Sequence, residues 1–227
     1  MDIDDFSAAG FVLLPALLTP DQCAGFAVEI TASQAKGETG AVAGARHLLA
    51  HAWCASLARA LRDDTRLSAL IPATHVAVQC SYFEKSAACN WLVPQHQDLS
   101  IPVACKVETP ALRGWSDKDG ELYVKAPVEV LEQLIAVRLH LDHCGLEDGP
   151  LRLVPGSHLG GRLAPGSADT GQSFAAVAKA GDALVMRPLL LHASSKSTGV
   201  SRRRVLHFVF GPPALPHGLA WRHAVQA

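Results

Sequence analysis

From residue 74 onward the chain breaks into short runs rich in β-branched and apolar residues, set apart by turn residues: 74–83, 101–104, 134–141, 151–154, 183–186 and 204–210. Many short strands at close spacing are the signature of a sandwich or barrel. The run 134–141 says more. Alternate residues of a strand face opposite sides, so Ile135, Val137, Leu139 and Leu141 fall on one face while Arg138, His140 and Asp142 fall on the other. A strand with that polar face lines a wet cavity and not a dry core.

With 227 residues, 49% hydrophobic and 18% charged, the chain can bury one sizeable core, and a single domain over residues 1–227 is expected. Its first part is mixed. Residues 10–14 read as a short strand, and Thr19-Pro20-Asp21 reads as the cap of a helix running to about Ser33. Residues 48–61 carry Leu49, Trp53, Leu57, Ala60 and Leu61 at helical spacing, which predicts a second helix packed on the outside of a sheet. Residues 157–173, rich in Gly, Ser and Pro, read as a surface loop. The fold class is mainly β with N-terminal helices.

A net charge of −1 argues against nucleic acid or an anionic membrane as partner and favours a small or neutral substrate over a polyanion. The six cysteines show no CxxC pair or zinc spacing, so they are expected as free thiols of a reducing compartment. The apolar run 11–18 is broken by Pro15 and is too short for a signal or a membrane span. A cytoplasmic protein, monomeric or homodimeric, is expected.

The chemistry concentrates in His96-Gln97-Asp98 and, 94 residues on, His192. Two imidazoles and one carboxylate are the ligand set with which non-haem Fe(II) oxygenases hold iron and leave coordination positions open. In a strand, His96 and Asp98 would lie on one side with Cα atoms about 6.5–7 Å apart, Gln97 pointing away. His192, following the turn and apolar strand 181–188, is expected to close the triad across the barrel. An HxD by itself is weak evidence, and His140-Leu141-Asp142 is a second one on a strand.

The surrounding motifs are more specific. The segment 90–102 (Asn-Trp-Leu-Val-Pro-Gln-His-Gln-Asp-Leu-Ser-Ile-Pro), with Lys85 before it, resembles the metal-binding segment of the phytanoyl-CoA dioxygenase family. Residues 149–158, ending in Pro-Gly-Ser-His, resemble that family's second hallmark, and His192-Ala193-Ser194 followed by arginines resembles its third. The 6–18 opening matches as well, so the resemblance runs through nearly the whole chain in family order. It implies a double-stranded β-helix (jelly-roll), Fe(II) held by His96, Asp98 and His192, 2-oxoglutarate as co-substrate, and O₂. The second HxD lacks these surroundings and is expected to be a decoy.

A fixed guanidinium suits the far carboxylate of 2-oxoglutarate. Arg202, Arg203 and Arg204 cannot all face inward, and the family's spacing of about eleven residues after the distal histidine selects Arg203. Its face also carries Val205 and His207. Arg138 falls where the family has a co-substrate-lining residue, and a buried arginine needs an anion: 2-oxoglutarate or an acidic group of the substrate, with a structural salt bridge as the rival reading. Gln79 and Ser81 share one side of their strand and are further candidates for the co-substrate. His47, His140 and, in a long connection 106–127 expected to cover the open end, Trp115 are the candidates for the substrate. Hydroxylation of a C–H bond, with release of succinate and CO₂, is the expected reaction. The alternatives are a metal-dependent barrel enzyme that does not use 2-oxoglutarate and a non-catalytic binder on the same fold.

Overall fold

The computed structural model describes residues 3–35, 44–164 and 173–226. Thirteen strands, β1 (Phe11–Leu14), β2 (Gly44–Ala45), β3 (Val76–Lys85), β4 (Val93–His96), β5 (Ser100–Pro102), β6 (Arg113–Lys118), β7 (Glu121–Lys125), β8 (Ile135–His140), β9 (Leu151–Leu153), β10 (Phe174–Ala176), β11 (Ala183–Met186), β12 (His192–Ser194) and β13 (Arg203–Gly211), form three antiparallel sheets. The six-stranded sheet runs β1-β11-β8-β13-β3-β2, the four-stranded sheet β10-β9-β12-β4, and the three-stranded sheet β5-β7-β6. The α-helices among the described residues are α1 (Ile3–Ala9), α2 (Pro20–Ala35), α3 (Ala52–Asp63), α4 (Thr65–Ser68) and α5 (Val128–Leu131), with three short 3₁₀ turns besides. None of them is long and apolar enough to cross a membrane.

The outer face of the large sheet is the main core. Helix α2 starts where the Thr19 hydroxyl accepts from Gln22 N (3.2 Å) and the Gln22 amide oxygen accepts from Thr19 N (2.8 Å), a reciprocal cap. Its Cys23 and Ile30, with Cys54, Leu57, Ala58 and Leu61 of α3, pack on Val137 and Leu139 of β8 and Leu206, Phe208 and Phe210 of β13. Each of the larger side chains buried there contributes about 1.5–3 kcal/mol. The expected 48–61 helix is divided: His51 is extended (φ −85°, ψ 134°), so a short 3₁₀ turn Leu48–Ala50 precedes α3.

On the inner face the large and four-stranded sheets meet through Ala136, Leu184 and Met186 against Leu151, Leu153 and Ala176. A bulge sets the rest of that face. Val209 of β13 pairs with Gln79 but Phe210 pairs with Ala77, so Val78 is an extra residue in β3 and the alternation shifts phase there. After the bulge, Gln79, Ser81, Phe83 and Lys85 all line the inner cavity.

The connection 106–127 is not a loop: it carries β6 and β7, joined by a two-residue turn in which Asp119 (φ 55°) and Gly120 (φ 80°) are both left-handed. Asp-Gly is the pair that such a turn requires. The 157–173 segment opens with a 3₁₀ turn (Ser157–Gly160), and its residues 165–172 lie outside the described residues. The C-terminal segment packs back on the sheets through bridges Val103 to Trp221 and Ala77 to Val225.

Candidate metal centre

His96 ends β4 and His192 begins β12, and the two are register partners on adjacent strands of the four-stranded sheet. The distal histidine therefore arrives from the neighbouring strand, not from across a barrel. Asp98 lies beyond the end of β4, against expectation, where its N–H donates to Pro188 O (2.9 Å). It still converges with the histidines. One donor atom from each of the three residues lies within 4.8 Å of the others, and each Nε2 is 3.7 Å from an Asp98 carboxylate oxygen.

Both rings are oriented by backbone two residues upstream. His96 Nδ1 donates to Pro94 O (2.9 Å) and His192 Nδ1 donates to Leu190 O (2.8 Å), which fixes the proton on Nδ1 and leaves the Nε2 lone pairs for an ion. Burial opposes ionisation of Asp98, but His192, His207, His96 and Arg138 outweigh it and hold the carboxyl below its usual range. Two imidazoles presenting Nε2 and one carboxylate at this spacing are a donor set that fits a divalent first-row metal. Gln97 points away: its amide donates to Gly161 O and Leu189 O (2.8 and 2.6 Å) and its oxygen accepts from Leu163 N (2.9 Å), which pins the ligand segment.

The other two motifs hold the same site. Ser157 Oγ donates to Val154 O (2.7 Å) and accepts from Leu191 N (2.8 Å), securing the residue before His192. Asn90 makes a two-way amide clamp with Ser197 (2.7 and 2.8 Å), and Trp91 lines the cavity with Lys85 Nζ 5.6 Å from its ring centroid. Gly149 has φ +63°, and a Cβ there would meet Ser195 O at 2.5 Å, so no side chain fits where its carbonyl accepts from both Arg203 and Ser194.

The metal residues open on a cavity of about 480 Å³. Arg203 and Arg138 line it, both almost fully buried. Arg203 donates to Gly149 O, its Nε has no partner among the described residues, and the Cys144 thiol lies against it. Arg138 stacks over Phe83 (5.6 Å to the ring centroid) and makes no ion pair among the described residues. Burial and the nearby Arg203 push its guanidinium down to about 9. Gln79 and Ser81 line the same wall, hydrogen-bonded to one another (3.2 Å), and His207 lies there too, brought down to about 4 chiefly by burial.

Lys85 is a site residue that the sequence shows only as part of a motif. Its ammonium is buried, donates to Ser194 Oγ (2.6 Å) and Ser195 O (2.5 Å), and is lowered to about 8 by burial and by Arg203 and Arg138. The period-two phase Gln79, Ser81, Phe83 runs on to it and is the signal that finds it.

Arg202 and Arg204 face outward, as the alternation requires. Arg202 grips Glu84 (two bonds of 2.8 Å) and Arg204 grips Asp142 (2.8 and 2.7 Å), so the Asp142 of the second HxD is engaged on the outer face, away from His96, Asp98 and His192. Three substrate candidates are placed elsewhere than in the cavity lining. His140 is buried beyond it, lowered to about 3 by burial and by Arg138 and Arg203. Trp115 packs on the apolar cluster of the three-stranded sheet. His47 sits behind the wall, paired with Glu121 and 3.2 Å from Lys118 O, while its neighbour Arg46 lines the cavity.

The phytanoyl-CoA dioxygenase (PhyH) family model matches residues 6–205. No curated protein sequence matches the chain at a significant level. Solved structures are similar in fold. AviO1 from Streptomyces viridochromogenes Tue57 is 20% identical over 94% of this chain and 95% of that one, with a TM-score of 0.61. HygX from Streptomyces hygroscopicus, with nickel and 2-oxoglutarate bound, is 18% identical over 91% and 84%, with a TM-score of 0.61. The non-haem alpha-ketoglutarate dependent epimerase SnoN from nogalamycin biosynthesis is 15% identical over 99% and 86%, with a TM-score of 0.69. With the metal donors, the inward arginine and the three ordered motifs in place, this chain belongs to the phytanoyl-CoA dioxygenase family.

Proposed function

We propose that the protein is an Fe(II)- and 2-oxoglutarate-dependent dioxygenase that hydroxylates a C–H bond of a small molecule. The observation that carries this reading is one cavity holding both the His96, Asp98 and His192 donors and the buried guanidinium of Arg203, which has no acid partner among the described residues. Bound there, Fe(II) would couple the oxidative decarboxylation of 2-oxoglutarate by O₂ to succinate and CO₂ with oxidation of the substrate. Arg203 offers the far carboxylate of the co-substrate a planar pair of donors, with Arg138, Lys85, Gln79 and Ser81 around it. The apolar walls contributed by Phe83, Trp91 and Trp221 restrict water. Asp98 fills the ligand position that a halide would need, which supports oxygen transfer over halogen transfer.

The metal and 2-oxoglutarate bound to HygX, a protein of the same fold, support the assignment of both to this chain. Six free thiols, four of them buried, support a reducing, cytoplasmic setting. The test is an anaerobic titration of the Fe(II)-loaded protein with 2-oxoglutarate. A metal-to-ligand absorption band is expected in the wild type and not in Arg203→Ala at the same concentration. Metal-dependent turnover that survives without 2-oxoglutarate would replace this reading with the barrel enzyme that dispenses with the keto acid.

A further inference from the structure

The cavity has a second charged wall, formed by the three-stranded sheet and the loop after β2. Lys118 is the last residue of β6; it lines the cavity half-buried, with its ammonium 4.6 Å from the Tyr123 ring centroid, and pairs with no carboxylate among the described residues. Tyr123 lines the same wall, and its buried hydroxyl has no hydrogen-bond partner among the described residues. Arg46 enters beside them, tied to Asp119 (2.5 Å) in the solvent-facing turn. Of the other two acids of the hairpin, Asp117 accepts from Gly120 N (3.0 Å) in the turn, and Glu121 is engaged behind the wall by His47, Arg222 and His223.

Among the described residues, Asp98 is therefore the sole acid lining a cavity that also holds Arg46, Lys85, Lys118, Lys125, Arg138 and Arg203. A divalent metal, the Asp98 carboxylate and a dianionic co-substrate, counted with the three deep cations Lys85, Arg138 and Arg203, still leave the deep end positive before Lys118 is added. A half-buried ammonium without a counter-ion is costly, and a ligand that supplies one recovers that cost. Lys118 and Asp98 line one cavity, so an anion on this wall and a carbon beside the three metal donors can belong to one small molecule.

Resting on the oxygenase reading above, we propose that the primary substrate is a small organic anion, a carboxylate or a phosphate ester, whose charged group docks on Lys118 with Arg46 and the Tyr123 hydroxyl beside it. The net charge of the chain conceals this wall, because the compensating acids sit on outer surfaces. A cavity of about 480 Å³, shared with the co-substrate, keeps the substrate small.

The test uses oxygen-free protein loaded with Fe(II) and saturating 2-oxoglutarate, so that the deep cations are occupied, titrated calorimetrically with benzoate, phenyl phosphate and benzyl alcohol. At least one anion should bind about tenfold or more tightly than the neutral alcohol, and Lys118→Ala should remove about that factor while Lys118→Arg keeps it. The affinity for 2-oxoglutarate should be the same in wild type and Lys118→Ala. Preference for benzoate identifies a carboxylate, and preference for phenyl phosphate a phosphate. Equal binding of all three probes, binding of none, or an unchanged anion affinity in Lys118→Ala overturns the proposal. Failure of 2-oxoglutarate itself to bind the wild type, read in a separate titration, counts against the oxygenase reading instead.

Discussion

The two faces of the six-stranded sheet handle positive charge in opposite ways. On the outer face, Arg202 and Arg204 each have a carboxylate, Glu84 and Asp142, reached by two hydrogen bonds. On the inner face, Arg203, Arg138 and Lys85 are more deeply buried, and no acid among the described residues pairs with them. Three consecutive arginines thus have two fates, decided by strand alternation alone. The outer pairs are structure, complete as they stand. The inner cations have no such partner among the described residues, and the proposed co-substrate and substrate would supply the anions.

The largest break in this contrast comes from the metal residues that share the inner cavity. His192→Ala or Asp98→Ala removes a ligand, and we expect metal analysis of anaerobically loaded protein to find little bound iron and turnover to fall by at least about a thousandfold. The next tests exchange the two faces. Arg203→Ala should weaken 2-oxoglutarate binding by about 10–100-fold, whereas Arg204→Ala should leave that affinity alone and lower the unfolding free energy by about 1–2 kcal/mol, because it strands Asp142. Denaturant melts and 2-oxoglutarate titrations of the same two variants separate these effects. Arg138→Met sharpens the point: in the ligand-free protein it should raise the melting temperature, since it replaces an uncompensated buried charge with an apolar chain of similar volume. A lower melting temperature for Arg138→Met would mean that the inner cations are ordinary structural groups.

Much of this organisation is legible in the sequence, for reasons that differ from residue to residue. The alternation in residues 134–141 places Val137 and Leu139 outward and Arg138 inward, as found, but Arg138 alone of the polar face lines the cavity: His140 is buried beyond it, and Asp142 lies past the end of β8, held by the outward-facing Arg204. The inward arginine follows from family spacing and parity. That Asp98 converges with the two histidines is legible, but its geometry is not, because β4 ends at His96 and the backbone reaches Asp98 through a contact with Pro188 that local periodicity does not encode. Strand β6 escapes notice because residues 113–118 are almost all polar: its surface is half solvated, so there is no apolar stripe to read. Only the Asp119-Gly120 turn pair betrays the hairpin. The bulge at Val78 depends on how β13 pairs with β3, and no property of residue 78 announces it. Trp221 reaches the cavity from a tail with no periodicity. The cationic wall was hidden by a net charge near zero, which averages an acidic exterior with a basic interior.

The smallest effect concerns how the inner face responds to protons. His140 is buried beside Arg138 and Arg203, and burial together with those charges lowers its imidazole to about 3. In the unfolded chain the same group titrates near 6.5. Between those two values the unfolded chain binds more protons than the folded one, so stability rises with pH across that window and is lost as pH falls from about 6.5 toward 3. The outer ion pair works in a lower window, since Glu84, whose carboxyl is held down by Arg202 and the Tyr82 hydroxyl against the opposing effect of burial, loses its contribution only as pH falls through the carboxylate range. Melting temperatures measured between pH 7 and pH 5 cover the window that His140 shares with the other buried histidines, His207 among them, and a His140 variant separates its share. The wild type should lose stability over that interval, and His140→Gln, which cannot take up the proton, should lose less. Binding of 2-oxoglutarate brings negative charge next to Arg203 and Arg138, so it should also flatten the acid loss in the wild type and do so more weakly in Arg203→Ala. An equal slope in all of these proteins would mean that His140 does not sense the inner cations, and the electrostatic contrast between the two faces would then stop at the arginines.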